Sequence, residues 1–354
     1  MDPIIPYKGR GAGFNPQNRF EEIRVERDPE SAEPDDPSPG TRFFRDSSRS
    51  LITFNDSPDL PFSASFNPYR GCEHGCIYCY ARPYHEYLGL SAGLDFESKI
   101  WVKDQAPALL KRELSSPRWN PQVLVVSGVT DCYQPVERRL EITRRCMQVL
   151  AECRHPVALI TKNALITRDV DVFQELATYN AVSITLSVTT LRPDLASTME
   201  PRASAPAARL AAIETLAKAG IPVGVNVAPI IPGLTDVEAP AILKAARAAG
   251  AQYAGFTIVR LPYAVKSLFE EWLTDHFPER KNKVLNRIRD VRGGKLYDAK
   301  FGARMRGEGL YARQIENLFR VARRKAGYPE QGRLELSTAH FRRPAGPQLE
   351  LFDV

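Results

Sequence analysis

From Phe66 onward, short β-branched runs alternate with segments whose apolar residues recur at the helical period. The runs predict strands over Val123–Val126, Val157–Thr161, Val182–Leu186, Val223–Ala228 and Gly255–Val259, with a shorter one near Ala64–Asn67. Between them the pattern predicts helices over Lys99–Glu113, Glu137–Cys153, Asp169–Thr178, Ala205–Ala219 and Asp236–Ala249. Gly220 and Gly250 follow the last two and supply the expected stops, because glycine takes the left-handed conformation that ends a helix. Strand–helix alternation implies parallel strands joined by crossovers. Six such units predict an α/β fold that is a barrel or most of one, with a doubly wound open sheet as the alternative.

Both architectures put chemistry at the carboxyl ends of the strands. The unusual residues fall there. The first strand leads into a cysteine cluster and the second into Ser127-Gly128-Val129-Thr130-Asp131-Cys132-Tyr133-Gln134-Pro135. Lys162-Asn163 follows the third, Ser187 the fourth, Pro229–Gly233 the fifth and Arg260 the sixth.

Composition adds limits. At 354 residues, 43% hydrophobic and 25% charged, the chain can bury a core, which excludes a disordered chain, a coiled coil and collagen. No apolar run approaches the ~20 residues that span a bilayer, and Met1–Arg10 lacks the apolar segment of a signal peptide. Six cysteines in such a chain read as thiols of a reducing, cytoplasmic compartment.

The net charge of +6 conceals two opposed stretches. From Glu21 to Asp36 eight acids face two bases among prolines, so residues 1–60 are expected to be a flexible arm and acidic, Pro-rich linker. Within it, Gly9–Gly13 is a candidate to dock on the body. Residues 61–262 are expected to form the core barrel, 263–340 a basic helical extension, and 341–354 a flexible tail. From Arg280 to Lys325 fifteen bases face four acids, which points to phosphate neutralisation and so to a nucleic-acid partner. Tyr297, Phe301 and Tyr311 lie among these bases and can either stack on an unpaired base or serve as core. The last helix, about Leu310–Ala326, sets Ile315, Leu318, Phe319 and Ala322 on one face.

Cys72-Glu-His-Gly-Cys76-Ile-Tyr-Cys79 places three thiols on one loop, at spacings that let them converge on one metal centre. One reading is structural zinc, with His74 or His85 as fourth ligand, in a non-catalytic nucleic-acid-binding adaptor. The other is an iron–sulfur cluster in which three protein ligands leave one iron open for chemistry. Cys146 and Cys153, seven apart on one helical face, read as core.

The Cys-x3-Cys-x2-Cys triplet, with Tyr78 before its third cysteine, resembles the signature of the radical S-adenosylmethionine (SAM) superfamily. Thr130–Glu137, Ile160-Thr161-Lys162-Asn163, Glu200-Pro201-Arg202 and Ala228–Gly233 resemble its spore-photoproduct-lyase-related, DNA repair photolyase-like branch. The resemblance covers about residues 60–330. It implies a partial (β/α)6 TIM-like barrel of the radical SAM type. It also implies a [4Fe-4S] cluster on Cys72, Cys76 and Cys79 that binds SAM at its open iron. An external electron donor reduces the cluster, SAM is cleaved to a 5′-deoxyadenosyl radical, and that radical abstracts hydrogen from substrate. The implied activity is that of a lyase on DNA photoproducts or related lesions, with modification of RNA or protein as the alternative. Tyr78 matches the aromatic beside the adenine; Ser127 and Gly128 fall where a Gly-Gly-Glu motif usually meets the methionine amino group, a form this chain lacks. Lys162 is a candidate for the SAM carboxylate and Ser187 for the ribose. Cys132, where the branch usually has proline, and Tyr133 are candidate hydrogen donors to a product radical. Finally, Gln348, Leu349, Leu351 and Phe352 resemble the short motif that docks bacterial repair proteins on the sliding clamp.

Overall fold

The computed structural model describes residues 7–21, 40–330 and 334–344. Ten strands appear in chain order: β1 (Arg42–Arg45), β2 (Thr53–Phe54), β3 (Ala64–Phe66), β4 (Tyr69–Arg70), β5 (Lys99–Val102), β6 (Leu124–Val126), β7 (Val157–Thr161), β8 (Val182–Ser187), β9 (Val223–Ile230) and β10 (Tyr253–Ile258). The helices are α1 (Leu94–Ser98), α2 (Ala106–Ser115), α3 (Glu137–Leu140), α4 (Ile142–Glu152), α5 (Val170–Thr178), α6 (Pro193–Met199), α7 (Pro206–Lys218), α8 (Ala239–Ala248), α9 (Val265–His276), α10 (Pro278–Asp290), α11 (Ala303–Arg306) and α12 (Gly309–Lys325). None is long and apolar enough to cross a membrane among the described residues.

All six predicted strands form, and they lie in one sheet ordered β10-β9-β8-β7-β6-β3-β2. The six are parallel, with β2 antiparallel on the edge. Their order follows the chain without reversing. A doubly wound sheet reverses at its switch point, so the winding is that of the partial (β/α)6 type. β7 and β8 bury every second residue, Val157, Leu159 and Thr161 in one and Val182, Ile184 and Leu186 in the other, as period-2 patterning requires. Gly220 and Gly250 carry the positive φ expected past the ends of α7 and α8.

Two predicted helices are revised. Lys99–Val102, expected to open a helix, is instead β5, which joins β1 and β4 in a second, three-stranded sheet. Ile100 and Val102 alternate inward there, a period the four-residue run shares with a helix of the same composition. Glu137–Cys153 breaks at Glu141, at φ 51°. The buried Glu137 carboxylate accepts the backbone N–H groups of Thr143 and Arg144 at 3.1–3.3 Å and so satisfies the start of α4.

The terminal segments are more ordered than expected. Within the stretch read as a flexible arm, residues 7–21 pack on the body, and β1 and β2 form. Part of the tail also packs. The Arg342 N–H donates to the Cys153 carbonyl at 2.7 Å, and Phe341 meets His155 edge-on at 5.3 Å. Cys153 and His155 precede β7, so this contact lies at the end of the sheet opposite the strand-end loops. Cys146 and Cys153 are buried core residues. The clamp-like residues Gln348–Phe352 and most of the acidic linker lie outside the described residues.

A candidate cofactor site at the strand ends

The cysteine loop follows β4 and is held from two sides. Gly71 and Gly75 turn it through positive φ, and each stands too close to a neighbour for a Cβ: one on Gly75 would lie 2.6 Å from Glu97 Oε2. On one side Arg82, fully buried, donates to the carbonyls of Cys76 (2.9 Å) and Gly75 (3.0 Å) and to Glu97 Oε1 (2.5 Å). The arm completes this clamp. Gly11 and Ala12 donate their N–H groups to the Glu97 carboxylate at 2.9 and 2.8 Å. Gly11 runs so close to the loop that a Cβ would lie 1.8 Å from the Gly75 carbonyl oxygen.

On the other side the loop after β6 grips it. Glu73 accepts the Val136 N–H at 2.7 Å and gives its own N–H to Gln134 at 2.8 Å. Asp131 joins three segments: it accepts from Thr161 Oγ1 (2.7 Å) and Lys162 N (2.8 Å) and faces His74 Nδ1 at 3.4 Å. His74 and His85, considered as zinc ligands, both have protein partners. His74 Nε2 lies 3.2 Å from Asn163, and His85 Nε2 lies 3.0 Å from the Lys99 carbonyl. Burial lowers the His85 pKa to about 4.

Cys72, Cys76 and Cys79 stand on this one loop as free thiols, Cys72 and Cys76 buried and Cys79 partly so. Burial first, and then the neighbouring Asp131 and the other two sulfurs, push the Cys72 thiol up. Thiols pushed up in this way stay neutral unless a cation takes up their charge, and as thiolates they are the donors an iron–sulfur cluster takes. Among the described residues no three His, Cys, Asp or Glu groups converge on a single ion. A cluster asks for something different, one thiolate per iron. The donor set therefore fits a cluster bound through these three cysteines.

Beside the loop lies a polar cradle. Tyr78 is buried and donates to Glu200, while its hydroxyl also lies 3.2 Å from Thr189 Oγ1. Lys162 Nζ donates to the Ala228 carbonyl at 2.8 Å, stands 3.6 Å from Glu200 and lies 5.8 Å from the centroid of the Tyr78 ring. Arg209, fully buried, pairs with the far oxygen of Glu200. Burial opposes ionisation of Glu200, but Arg209 and Lys162 outweigh it and lower its pKa to about 2. With its charge matched by these two cations, the carboxylate positions both Tyr78 and Lys162. Glu200 lies in the Glu200-Pro201-Arg202 motif, which alone gives it no partner, and neither Thr189 nor Arg209 is legible in the sequence, because their partners are set by the fold.

Other candidates are placed less directly. Ser187 ends β8 and is buried, with its carbonyl held by Arg209 at 3.0 Å. Ser127 adopts φ 77° and accepts the Cys132 N–H on its hydroxyl at 2.9 Å, while Gly128 accepts the Tyr80 hydroxyl on its carbonyl at 2.7 Å. Ser127 closes the turn after β6 on itself, and Gly128 ties that turn to the segment that follows Cys79. Cys132 and Tyr133 are fully buried in the main core. The Tyr133 hydroxyl donates to Asp169 at 2.9 Å, inside a charged group with Arg144, Arg168 and Glu137. Their surroundings are those of packing residues, not of an open mouth.

The basic segment divides. Arg292 is buried and donates to the carbonyls of Ala303 and Val259, both at 2.7 Å. Arg304 pairs with Asp59, and Arg287 lies over Tyr311. Tyr311 itself donates to Asp236, so it is a packing residue. In α12 the buried residues are Ala312, Ile315, Phe319 and Ala322; Leu318, expected on that face, is exposed.

A sequence model of the radical SAM superfamily matches residues 66–246 of this chain. An uncharacterised protein of Mycobacterium tuberculosis is 36% identical over 236 residues, 66% of this chain and 68% of the relative. An uncharacterised protein of Methanocaldococcus jannaschii is 29% identical over 172 residues, 49% of this chain and 62% of the relative. Among solved structures, spore photoproduct lyase complexed with dinucleoside spore photoproduct is similar in fold. Its TM-score is 0.57 at 16% identity, covering 80% of this chain and 79% of that one. A doubly substituted mutant of that lyase, with bound AdoMet and the same dinucleoside, matches with TM-score 0.52 at 15% identity, covering 81% and 77%.

Proposed function

The chain belongs to the radical SAM superfamily, and from that premise we propose that it is a radical SAM enzyme acting on nucleic acid, in the manner of a lesion-repair lyase. The superfamily's cofactors are a [4Fe-4S] cluster and SAM. The observation that carries the reading is the set of three clustered thiols at the carboxyl ends of six parallel strands, beside the Tyr78–Glu200–Lys162 cradle. Held by Cys72, Cys76 and Cys79 and reduced by an external electron donor, such a cluster would supply one electron for reductive cleavage of SAM.

The protein's own part is binding and orientation. Cys72, Cys76 and Cys79 hold the cluster, and the Arg82–Glu97 clamp keeps their loop rigid. Lys162 offers a compact positive charge to a carboxylate, held by Glu200 and Ala228. Tyr78 offers a ring face to the adenine, fixed through its hydroxyl. Ser187 and the Ser127-Gly128 turn are the neighbouring polar groups for ribose and amino group. The nucleic-acid part rests on the surface bases of residues 280–325, among them Arg313, Arg320 and Arg324 on the outer side of α12.

The test is hydrogen transfer. Lesion-containing DNA deuterated at the reacting position, incubated anaerobically with enzyme, reductant and SAM, is expected to yield deuterium in 5′-deoxyadenosine. Transfer from RNA or peptide substrates, with none from DNA, would redirect the assignment. Recruitment by a sliding clamp through Leu351 and Phe352 forms a separate part of the proposal. Alanine at both positions should abolish clamp pull-down, and unchanged retention would end it.

A further inference from the structure

The rim of the mouth carries an aromatic surface that the cofactor cradle does not use. Three segments distant in sequence build it. Phe20 comes from the arm, Tyr80, Tyr84 and Tyr87 follow the cysteines, and Tyr263 and Phe301 come from beyond β10. Each ring is 40–68% exposed. The arm joins the other two segments: Phe20 stacks on Tyr87 at 4.9 Å, and Arg19 lies over Tyr263. Within the segments Tyr87 lies 6.4 Å from Tyr84, and Tyr263 lies 6.5 Å from Tyr297. Guanidinium groups are interleaved with them. Arg19 sits 3.6 Å from the Tyr263 centroid and 4.9 Å from that of Phe20, Arg260 4.1 Å from Tyr80, and Arg304 4.7 Å from Phe301.

The placement ties the surface to the chemistry. Tyr80 directly follows Cys79 and is anchored on the Gly128 carbonyl at 2.7 Å. Arg260, which follows β10, lies over the ring of this same Tyr80. Large aromatic side chains are ordinarily drawn inward, so six exposed around one rim call for a ligand with flat apolar faces. Alternating rings and arginines stack such faces and attract phosphate between them. Nucleobases in a duplex have their faces covered by stacking, whereas unpaired or extruded bases offer them.

We propose that this surface binds unpaired nucleotides, stacking their bases on Tyr84, Tyr87, Phe20 and Phe301 and drawing the strand past Tyr80 toward the cysteine loop. The inference rests on the nucleic-acid reading of the same mouth. It adds that the enzyme takes a single strand, or a strand opened by damage, in preference to intact duplex.

The test uses the full-length protein, anaerobically reconstituted, and anisotropy of a labelled single strand of about 15 nucleotides and of its duplex. The wild type should bind the single strand at least tenfold more tightly. The double variant Tyr84→Ala/Tyr87→Ala should weaken single-strand binding about tenfold or more, as loss of stacked bases does, and leave its salt dependence unchanged. Tyr84→Phe/Tyr87→Phe should restore binding, which separates stacking from hydroxyl contacts. Equal wild-type affinity for both forms, or no loss in the alanine variant, would overturn the inference while leaving nucleic-acid binding intact. No binding of either form at low salt would overturn the nucleic-acid reading as well.

Discussion

Between Gly71 and Arg82 the loop's polar groups are bonded to residues far along the chain, whereas between Arg280 and Lys325 the cations divide between interior and surface. In the first region Glu73 reaches Val136, His74 reaches Asp131, and Arg82 pairs with Glu97, which in turn meets the arm. In the second, Arg292 is a core residue bonded to carbonyls, while Arg320 and Arg324 face solvent. Spacing within an eight-residue loop is enforced by covalent geometry, so a motif read there lands on the site. A charge count over forty-six residues carries no such constraint, and which arginine does what is decided by packing.

Substitutions in the two regions sharpen that comparison. The largest effect should come from Glu97→Ala. It leaves the fully buried Arg82 uncompensated and frees the N–H groups of Gly11 and Ala12. Breaking a buried pair from one side costs roughly 3–5 kcal/mol, readable in the denaturant midpoint, with the arm becoming sensitive to protease. Arg292→Met should cost about 1–3 kcal/mol by orphaning buried carbonyls. Lys162→Met should weaken SAM binding about tenfold, the loss of one charge-assisted contact. An unchanged affinity would remove Lys162 from the SAM contacts. The smallest effect should be that of Arg320→Ala, from the same charge run as Arg292. It should change stability by about 0.5 kcal/mol or less and instead reduce the salt dependence of nucleic-acid binding. If Arg292 and Arg320 behaved alike, the division of the segment would be wrong.

The six parallel strands were legible because β-branched runs with inward alternation leave few alternatives, and Gly220 and Gly250 marked helix ends by backbone sterics alone. β5 was not, since Lys99-Ile-Trp-Val is too short for period 2 to be told from period 3.6. The break at Glu141 was hidden because its cause, Glu137 folding back on the start of α4, is a tertiary contact. Of the candidate site, spacing singled out the three cysteines and the strand ends singled out Lys162, while Tyr78 entered only through the family resemblance. Arg82, Glu97, Thr189 and Arg209 could not be placed, since each acts through a partner the fold alone supplies. The fold also sorted three aromatics the sequence treated together. It left Phe301 exposed at the mouth, set Tyr297 beside Tyr263, and tied Tyr311 to Asp236.

The central claim is that the Cys72–Cys79 loop carries a redox-active cluster. Anaerobic reconstitution followed by iron and sulfide analysis, with 5′-deoxyadenosine measured after adding SAM and a strong reductant, tests it directly. The account predicts about four irons per chain and 5′-deoxyadenosine formed by the wild type, with both lost in Cys76→Ala. A colourless wild-type protein that holds zinc and forms no 5′-deoxyadenosine would contradict it.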